Sequence, residues 1–211
     1  MEIMKIQEYG NASADTVLIQ MVDDHDLEVI ANEVKYIREN STPEIRLLAV
    51  RVNDWNTDLS PWTAPAVFGR EDFGAGAAET LEEVNNLCED SSKSYYIGGY
   101  SLAGLFALWA AYQTDLFKGV AAASPSIWFP GFLEYMKEHE IRANTVYLSL
   151  GDKESKARNP VMATVADRIR DAHDWLRTRD VNCTLEWNPG NHFRDPDIRT
   201  AKAFVWVVGR K

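Results

Sequence analysis

The sequence is short of the residues that staple, span or clasp. Two of its 211 residues are cysteine, Cys88 and Cys183. That is too few for the disulfide framework of a small secreted domain, so a reducing compartment is expected and both thiols read as small apolar core residues. No apolar run is long enough to cross a bilayer. The opening residues, MEIMKIQEYGNASAD, place acidic side chains where a signal peptide needs an unbroken apolar stretch. A cytoplasmic protein with no membrane partner is expected. Basic charge is in deficit: 22 Lys and Arg stand against 32 Asp and Glu, a net charge of −10. With no basic cluster, nucleic acid is not expected as a partner either. The four histidines, at 25, 139, 173 and 192, are scattered, and none pairs at metal-ligand spacing. No metal and no cofactor is expected.

What is present is the composition of an ordinary globular chain. The hydrophobic fraction of 45% is enough for one buried core, so a single domain over residues 1–211 is expected. Short apolar or β-branched runs at 16–22, 45–52, 94–100, 119–124, 145–150 and 183–187 read as strands, with a weaker candidate at 2–9. Helical patterns lie between them, near 27–39, 76–89, 102–113, 131–139, 160–179 and 195–208. The clearest is 160–179, where Val161, Val165, Ile169, Ala172 and Leu176 recur at steps of three or four. Near-continuous apolar strands alternating with helices predict an α/β fold: a mostly parallel sheet covered on both faces. The segment 53–76 breaks the alternation. It is long, polar and aromatic, and in such a sheet a loop leaving a C-terminal strand end borders the ligand crevice.

One stretch carries chemistry. Gly98-Gly99-Tyr100-Ser101-Leu102-Ala103-Gly104 joins an expected strand to an expected helix. A nucleophile elbow has this layout: the turn is so tight that the flanking residues must be small, and the serine is held strained with its hydroxyl exposed. The usual G-x-S-x-G is met with Ala103 in its last position. At a helix start, the Leu102 N–H is a candidate oxyanion donor; a second donor is expected from the loop Asp23-Asp24-His25-Asp26, through Asp24 or His25. A serine needs a base. In the order serine, acid, histidine, only His192 is late enough and lies in a loop, NPGNHF, at the right strand end. The acid is expected after the strand TVYLSL, in Gly151-Asp152-Lys153-Glu154. Glu154 is favoured for its offset from the glycine, with Asp152 as the alternative, and a bare Ser-His dyad stays open.

With those residues in place, IGGYSLAGLFALWAAYQTDLFKGVAAASPSIWF resembles the core of the enterochelin esterase and esterase D group of α/β hydrolases, which also includes the mycolyltransferases. VLIQMVDDHD, AVRVNDWNTDLSPW, LSLGDKE and NPGNHF match further pieces of that group in order, and the resemblance spans roughly residues 16–208. It implies an α/β-hydrolase fold with no large lid domain and a serine esterase acting on a small-molecule ester. It also implies that Trp128 and Phe129 line the acyl or alcohol pocket. Trp55 and Trp62 add to an aromatic surround that suits a bulky apolar substrate part, or equally a core. The chain departs from the group at Asp24, where a glycine is usual, at Ala103, and in its shorter N-terminal region. Acyl transfer to an alcohol, or a hydrolase-fold binding module without activity, are the alternatives to hydrolysis.

Overall fold

The computed structural model describes residues 4–209. Its elements alternate as the apolar patterning requires. The strands are β1 (Lys5–Gly10), β2 (Thr16–Val22), β3 (Ile45–Arg51), β4 (Ser94–Tyr100), β5 (Phe117–Ala123), β6 (Thr145–Gly151) and β7 (Asn182–Asn188). The helices are α1 (Asp24–Asn40), α2 (Trp55–Asp58), α3 (Ala77–Asn86), α4 (Leu102–Gln113), α5 (Phe132–Glu138), α6 (Val165–Arg177) and α7 (Pro196–Val208). The strands form one sheet in the order β1-β3-β2-β4-β5-β6-β7. Every pairing is parallel except that of β1 with β3. This is the α/β-hydrolase type of sheet expected, with one antiparallel edge strand. Residues 2 and 3 of the strand expected at 2–9 lie outside the described residues. Among the described residues, no helix is long and apolar enough to cross a membrane.

The period-two alternation of β2 shows why both faces are covered. Val17, Ile19 and Met21 enter the core cluster that α3, α4, α5 and α6 complete; Leu18 and Val22 enter a second cluster with Ile30, Val34 and Ile37 of α1 and Phe204 of α7. Each inward side chain lost from such a strand would forfeit about 1.5–3 kcal/mol of burial. α4 lies inside the first cluster with every residue from Leu102 to Tyr112 buried. An all-apolar helix of that kind has no solvent face, which fixes its N-terminus, and with it Ser101, at the centre of the sheet's C-terminal edge.

Three expectations about element boundaries need correction. Residues Asp24–Asp26 are the first turn of α1 and not a loop. A reciprocal capping box starts the helix there: Asp26 N–H donates to Asp23 Oδ1 at 2.9 Å and Asp23 N–H to Asp26 Oδ2 at 3.1 Å. Val161 is 37% exposed and lies outside the helical stripe, because a separate tight turn at Met162–Thr164 precedes α6. The segment 53–76 is not wholly loop: it holds α2 and a two-residue bridge between Ala64 and Phe73.

Candidate active site

Ser101 sits between β4 and α4 with φ 56° and ψ −119°, a region that side-chain-bearing residues adopt only when the surroundings impose it. The imposing contact is Gly99 against the first turn of α4. A Cβ built on Gly99 would lie 2.6 Å from the Ala103 Cβ and 3.0 Å from the Ala103 carbonyl carbon. Alanine at 103 fits because glycine at 99 makes room for it.

The strained turn points the Ser101 hydroxyl at His192. Ser101 Oγ and His192 Nε2 are 3.0 Å apart, and His192 Nδ1 is 2.8 Å from Glu154 Oε2. Glu154 opens a short 3-10 turn, Glu154–Lys156, directly after β6, and its side chain folds back over the strand end so that Oε1 accepts from the Gly151 N–H at 2.7 Å. Burial raises the Glu154 pKa, but the hydrogen bond and charge of His192, the Gly151 N–H and the Ser124 hydroxyl outweigh it and hold the carboxyl below its ordinary value. An ionised carboxylate only accepts, so Nδ1 carries the imidazole proton and Nε2 presents a lone pair to the serine hydroxyl. Ser101, His192 and Glu154 are thus in line, with the imidazole placed where it can accept the serine proton.

Asp152, the alternative acid, faces elsewhere. Its Oδ1 accepts from the Gly190 N–H at 2.7 Å. It holds the histidine loop rather than the imidazole.

Several further residues shape this constellation. Arg199, on α7, is 2% exposed. Its Nη1 donates to Glu154 Oε1 and to Tyr100 Oη, both at 3.0 Å; its Nη2 donates to the carbonyls of Pro189 and Asn191, both at 3.1 Å. The Tyr100 hydroxyl in turn donates to the His192 carbonyl at 2.7 Å. Burial pushes that phenol up to about 12, so it stays a neutral donor. Ser124, with φ 41°, donates to Glu154 Oε1 at 2.9 Å, and Ser126 Oγ lies 3.3 Å from Ser101 Oγ. Both serines lie in the string Ala123-Ser124-Pro125-Ser126, part of the family resemblance.

The expected oxyanion donors are helix amides. Leu102 opens α4 and Asp24 and His25 open α1, so their N–H groups have no acceptor inside their own helices. α1 begins at the C-terminal end of β2, the neighbour of β4 in the sheet. The Asp24 carboxylate is held by Arg51, whose Nε and Nη2 donate to it at 2.6 and 2.8 Å; that pairing lowers its pKa.

A cavity of about 410 Å³ opens beside the histidine, bordered by His192, Glu154, Ser124, Trp128, Met162 and Phe193 among others. Trp128 is therefore at the cavity, as expected. Phe129 is not: it is fully buried, packed against Phe73 and Trp62 at ring-centre separations of 5.2 and 5.8 Å. Both rings pack on Phe73, Trp128 at 6.0 Å and Phe129 at 5.2 Å, but only Trp128 also borders the cavity. Trp55 opens α2, packs half-buried against the core and does not line the cavity. Phe193, which the sequence reading passed over, stands 84% exposed at the mouth with its ring edge-on to His192 at 5.6 Å. Among the described residues, no group of three His, Cys, Asp or Glu side chains is placed to hold a metal ion.

Comparison with known proteins places the fold. No family model matches the sequence, and no curated protein matches it. Solved structures do. An IroE-like serine hydrolase from Shewanella oneidensis superposes with a TM-score of 0.79 at 14% identity, covering 96% of this chain and 75% of that one. The siderophore hydrolase EstA from Aspergillus nidulans gives 0.68 at 18% identity, over 96% of this chain and 89% of that one. A Bacillus cereus carboxylesterase gives 0.63 at 16%, over 98% and 94%. The likeness agrees with the sequence resemblance at the level of fold.

Proposed function

We propose that the chain is a serine hydrolase of carboxylic esters, with Ser101 as nucleophile, His192 as general base and acid, and Glu154 as the carboxylate that orients the imidazole. The observation that carries this reading is the unbroken line Ser101 Oγ–His192 Nε2–Glu154 Oε2, at 3.0 and 2.8 Å, on a serine held at φ 56°.

The reaction runs in two halves. Ser101 Oγ attacks the ester carbonyl carbon while its proton passes to His192 Nε2. The carbonyl oxygen becomes an oxyanion, stabilised by the Leu102 N–H and the first-turn amides of α1 at Asp24 and His25. Glu154 offsets the imidazolium charge. The intermediate collapses: the bond to the alcohol oxygen breaks, His192 returns its proton to that oxygen, and the acyl group stays on Ser101. Water then loses a proton to His192 and attacks the acyl carbon, and the second collapse frees the carboxylic acid and restores the serine. Strain at Ser101 and the fixed amides are in place before substrate arrives, so little reorganisation remains for the reaction step.

The test is covalent labelling with a fluorophosphonate, alongside turnover of p-nitrophenyl acetate, for the wild type, Ser101→Ala and His192→Ala. Labelling and turnover in the wild type, both lost in the variants, is the expected result. A folded wild type that neither labels nor turns over would overturn the reading.

A further inference from the structure

Among the residues lining the cavity beside His192, Glu154 is the one carboxylate, and its charge is taken up internally by Arg199 and His192. Two cations, Lys153 and Lys156, also line it. Their placement follows from the backbone. Lys153 caps the 3-10 turn Glu154–Lys156, and the Lys156 N–H donates to the Lys153 carbonyl at 3.1 Å. Lys153 and Lys156 thus bracket one short turn, and both border the same cavity. The turn is pinned to the histidine loop by the Lys153 N–H, which donates to the Gly190 carbonyl at 3.0 Å. Both lysines are exposed, and neither ammonium makes an ion pair with a carboxylate of the described residues, whereas Lys93 pairs with Asp15 at 3.0 Å and Lys202 with Glu186 at 2.9 Å. In a chain of net charge −10, the cavity is thus a local cationic spot that also presents the apolar side chains of Trp128, Met162 and Phe193.

The geometry points to an anionic substrate: an ester whose acyl or alcohol arm carries a carboxylate that meets Lys153 and Lys156, with an apolar body against Trp128 and Phe193. The inference rests on the hydrolase reading and adds to it the class of ester. The overall negative field repels such a molecule, and a pair of cations at the cavity reverses that repulsion where binding happens. A neutral apolar ester would gain nothing from either lysine.

Two matched pairs of esters test this and separate the two arms. Sodium p-acetoxybenzoate against its methyl ester places the charge on the alcohol side; mono-p-nitrophenyl glutarate against its methyl ester places it on the acyl side. Each kcat/KM is normalised to the compound's rate of alkaline hydrolysis. In at least one pair the anionic member is expected to be favoured about tenfold, the scale of one or two partly screened ion pairs. That ratio falls toward one in Lys153→Gln/Lys156→Gln and in about 0.5 M sodium chloride. It persists in Lys35→Gln/Lys118→Gln, which removes the same charge elsewhere. Turnover of the neutral esters with no anion preference in either pair, or a preference that survives Lys153→Gln/Lys156→Gln, overturns the inference and leaves the hydrolase reading standing. No turnover of any of the four esters overturns the inference, and the hydrolase reading falls with it where the folded wild type also fails to label with the fluorophosphonate.

Discussion

Arg199 Nη1 lies 3.0 Å from Glu154 Oε1 while the other oxygen of that carboxylate holds His192 at 2.8 Å. One carboxylate is thus shared between a permanent cation and the imidazole. The same guanidinium holds the carbonyls on either side of the histidine loop's glycine, at Pro189 and Asn191. Arg199 therefore holds Glu154 and the His192 loop together, and its positive charge sits against the carboxylate that His192 faces.

Two substitutions separate those roles. Arg199→Met removes the cation and leaves Glu154 with a stronger hold on an imidazolium. The acid limb of the kcat/KM profile should move to higher pH. Loss of a buried ion-pair partner should also cost about 3–5 kcal/mol of stability. Arg199→Lys keeps the charge but cannot span two oxygens on one side and two carbonyls on the other. It should lower kcat with the acid limb near its wild-type position. A stability loss in Arg199→Met with an unmoved pH profile would show that the arginine is only a structural clamp.

The two carboxylates after β6 should differ sharply. Glu154→Gln keeps the shape but offers the imidazole a neutral partner that does not enforce the Nδ1–H form. Turnover should fall about 10³–10⁴-fold, as when the acid of a Ser-His-acid set becomes an amide. Asp152→Asn loses only a charge-assisted bond from the Gly190 N–H, and a fall of about tenfold or less in kcat/KM is expected. Steady-state kinetics on p-nitrophenyl acetate read both. Equal losses would return the assignment of the acid to an open question between them.

How much of this was legible beforehand follows from where each signal lives. The strands and helices were read from local periodicity, and β2, β4 and α4 agree with their expected spans to the residue. Ser101 is picked out by its small neighbours in the elbow, and His192 and Glu154 by chain order and loop position; the structure brings these three side chains together. Arg199 was not found: in PDIRTAKAF it looks like any solvated helical arginine, and only the packing of α7 under the β6 and β7 loops buries it. Trp128 and Phe129 could not be told apart, because which of two adjacent aromatics faces a cavity depends on the local turn. The start of α1 was missed because an Asp-x-x-Asp capping box reads as a run of charge.

A second buried carboxylate gives a pH prediction away from the site. Glu33 of α1 is 3% exposed and accepts from Gln20 Nε2 at 3.2 Å, while Gln20 Oε1 and Glu33 Oε1 have no partner. Burial, against the lesser effect of the Gln20 hydrogen bond, pushes its carboxyl well above the ordinary value of 4.5. A protonated Glu33 can return a hydrogen bond to Gln20. The folded pKa exceeds the unfolded one, so stability is full below about 4.5 and declines as pH rises toward the folded value. Asp26, raised to about 6 mainly by burial, adds a similar decline between its usual 3.8 and 6. Glu33→Gln supplies the neutral partner permanently. Its melting temperature should exceed that of the wild type by a margin that widens from pH 4.5 to pH 8, with the Asp26 contribution common to both. A margin independent of pH would mean that Glu33 is ionised in the fold.

The elbow itself can be probed through Gly99 without touching the reacting groups. An alanine there would bring its Cβ to 2.6 Å from the Ala103 Cβ and 3.0 Å from the Ala103 carbonyl carbon. The contact is with the first turn of α4, so relief requires that turn to move away from β4. Because α4 is buried along its length, it can shift only by pushing into the packed core, and overpacking of this kind costs about 1–3 kcal/mol. The same shift displaces the Leu102 N–H and carries the Ser101 hydroxyl off its line to His192, where a misplacement of about 1 Å costs about 100-fold in rate. Gly99→Ala should therefore lose activity far beyond its loss of stability. Adding Ala103→Gly, which removes the struck methyl but leaves the backbone contact, should restore part of that activity. Full activity in Gly99→Ala would mean that the turn has slack and that the φ of 56° at Ser101 is not enforced from this side.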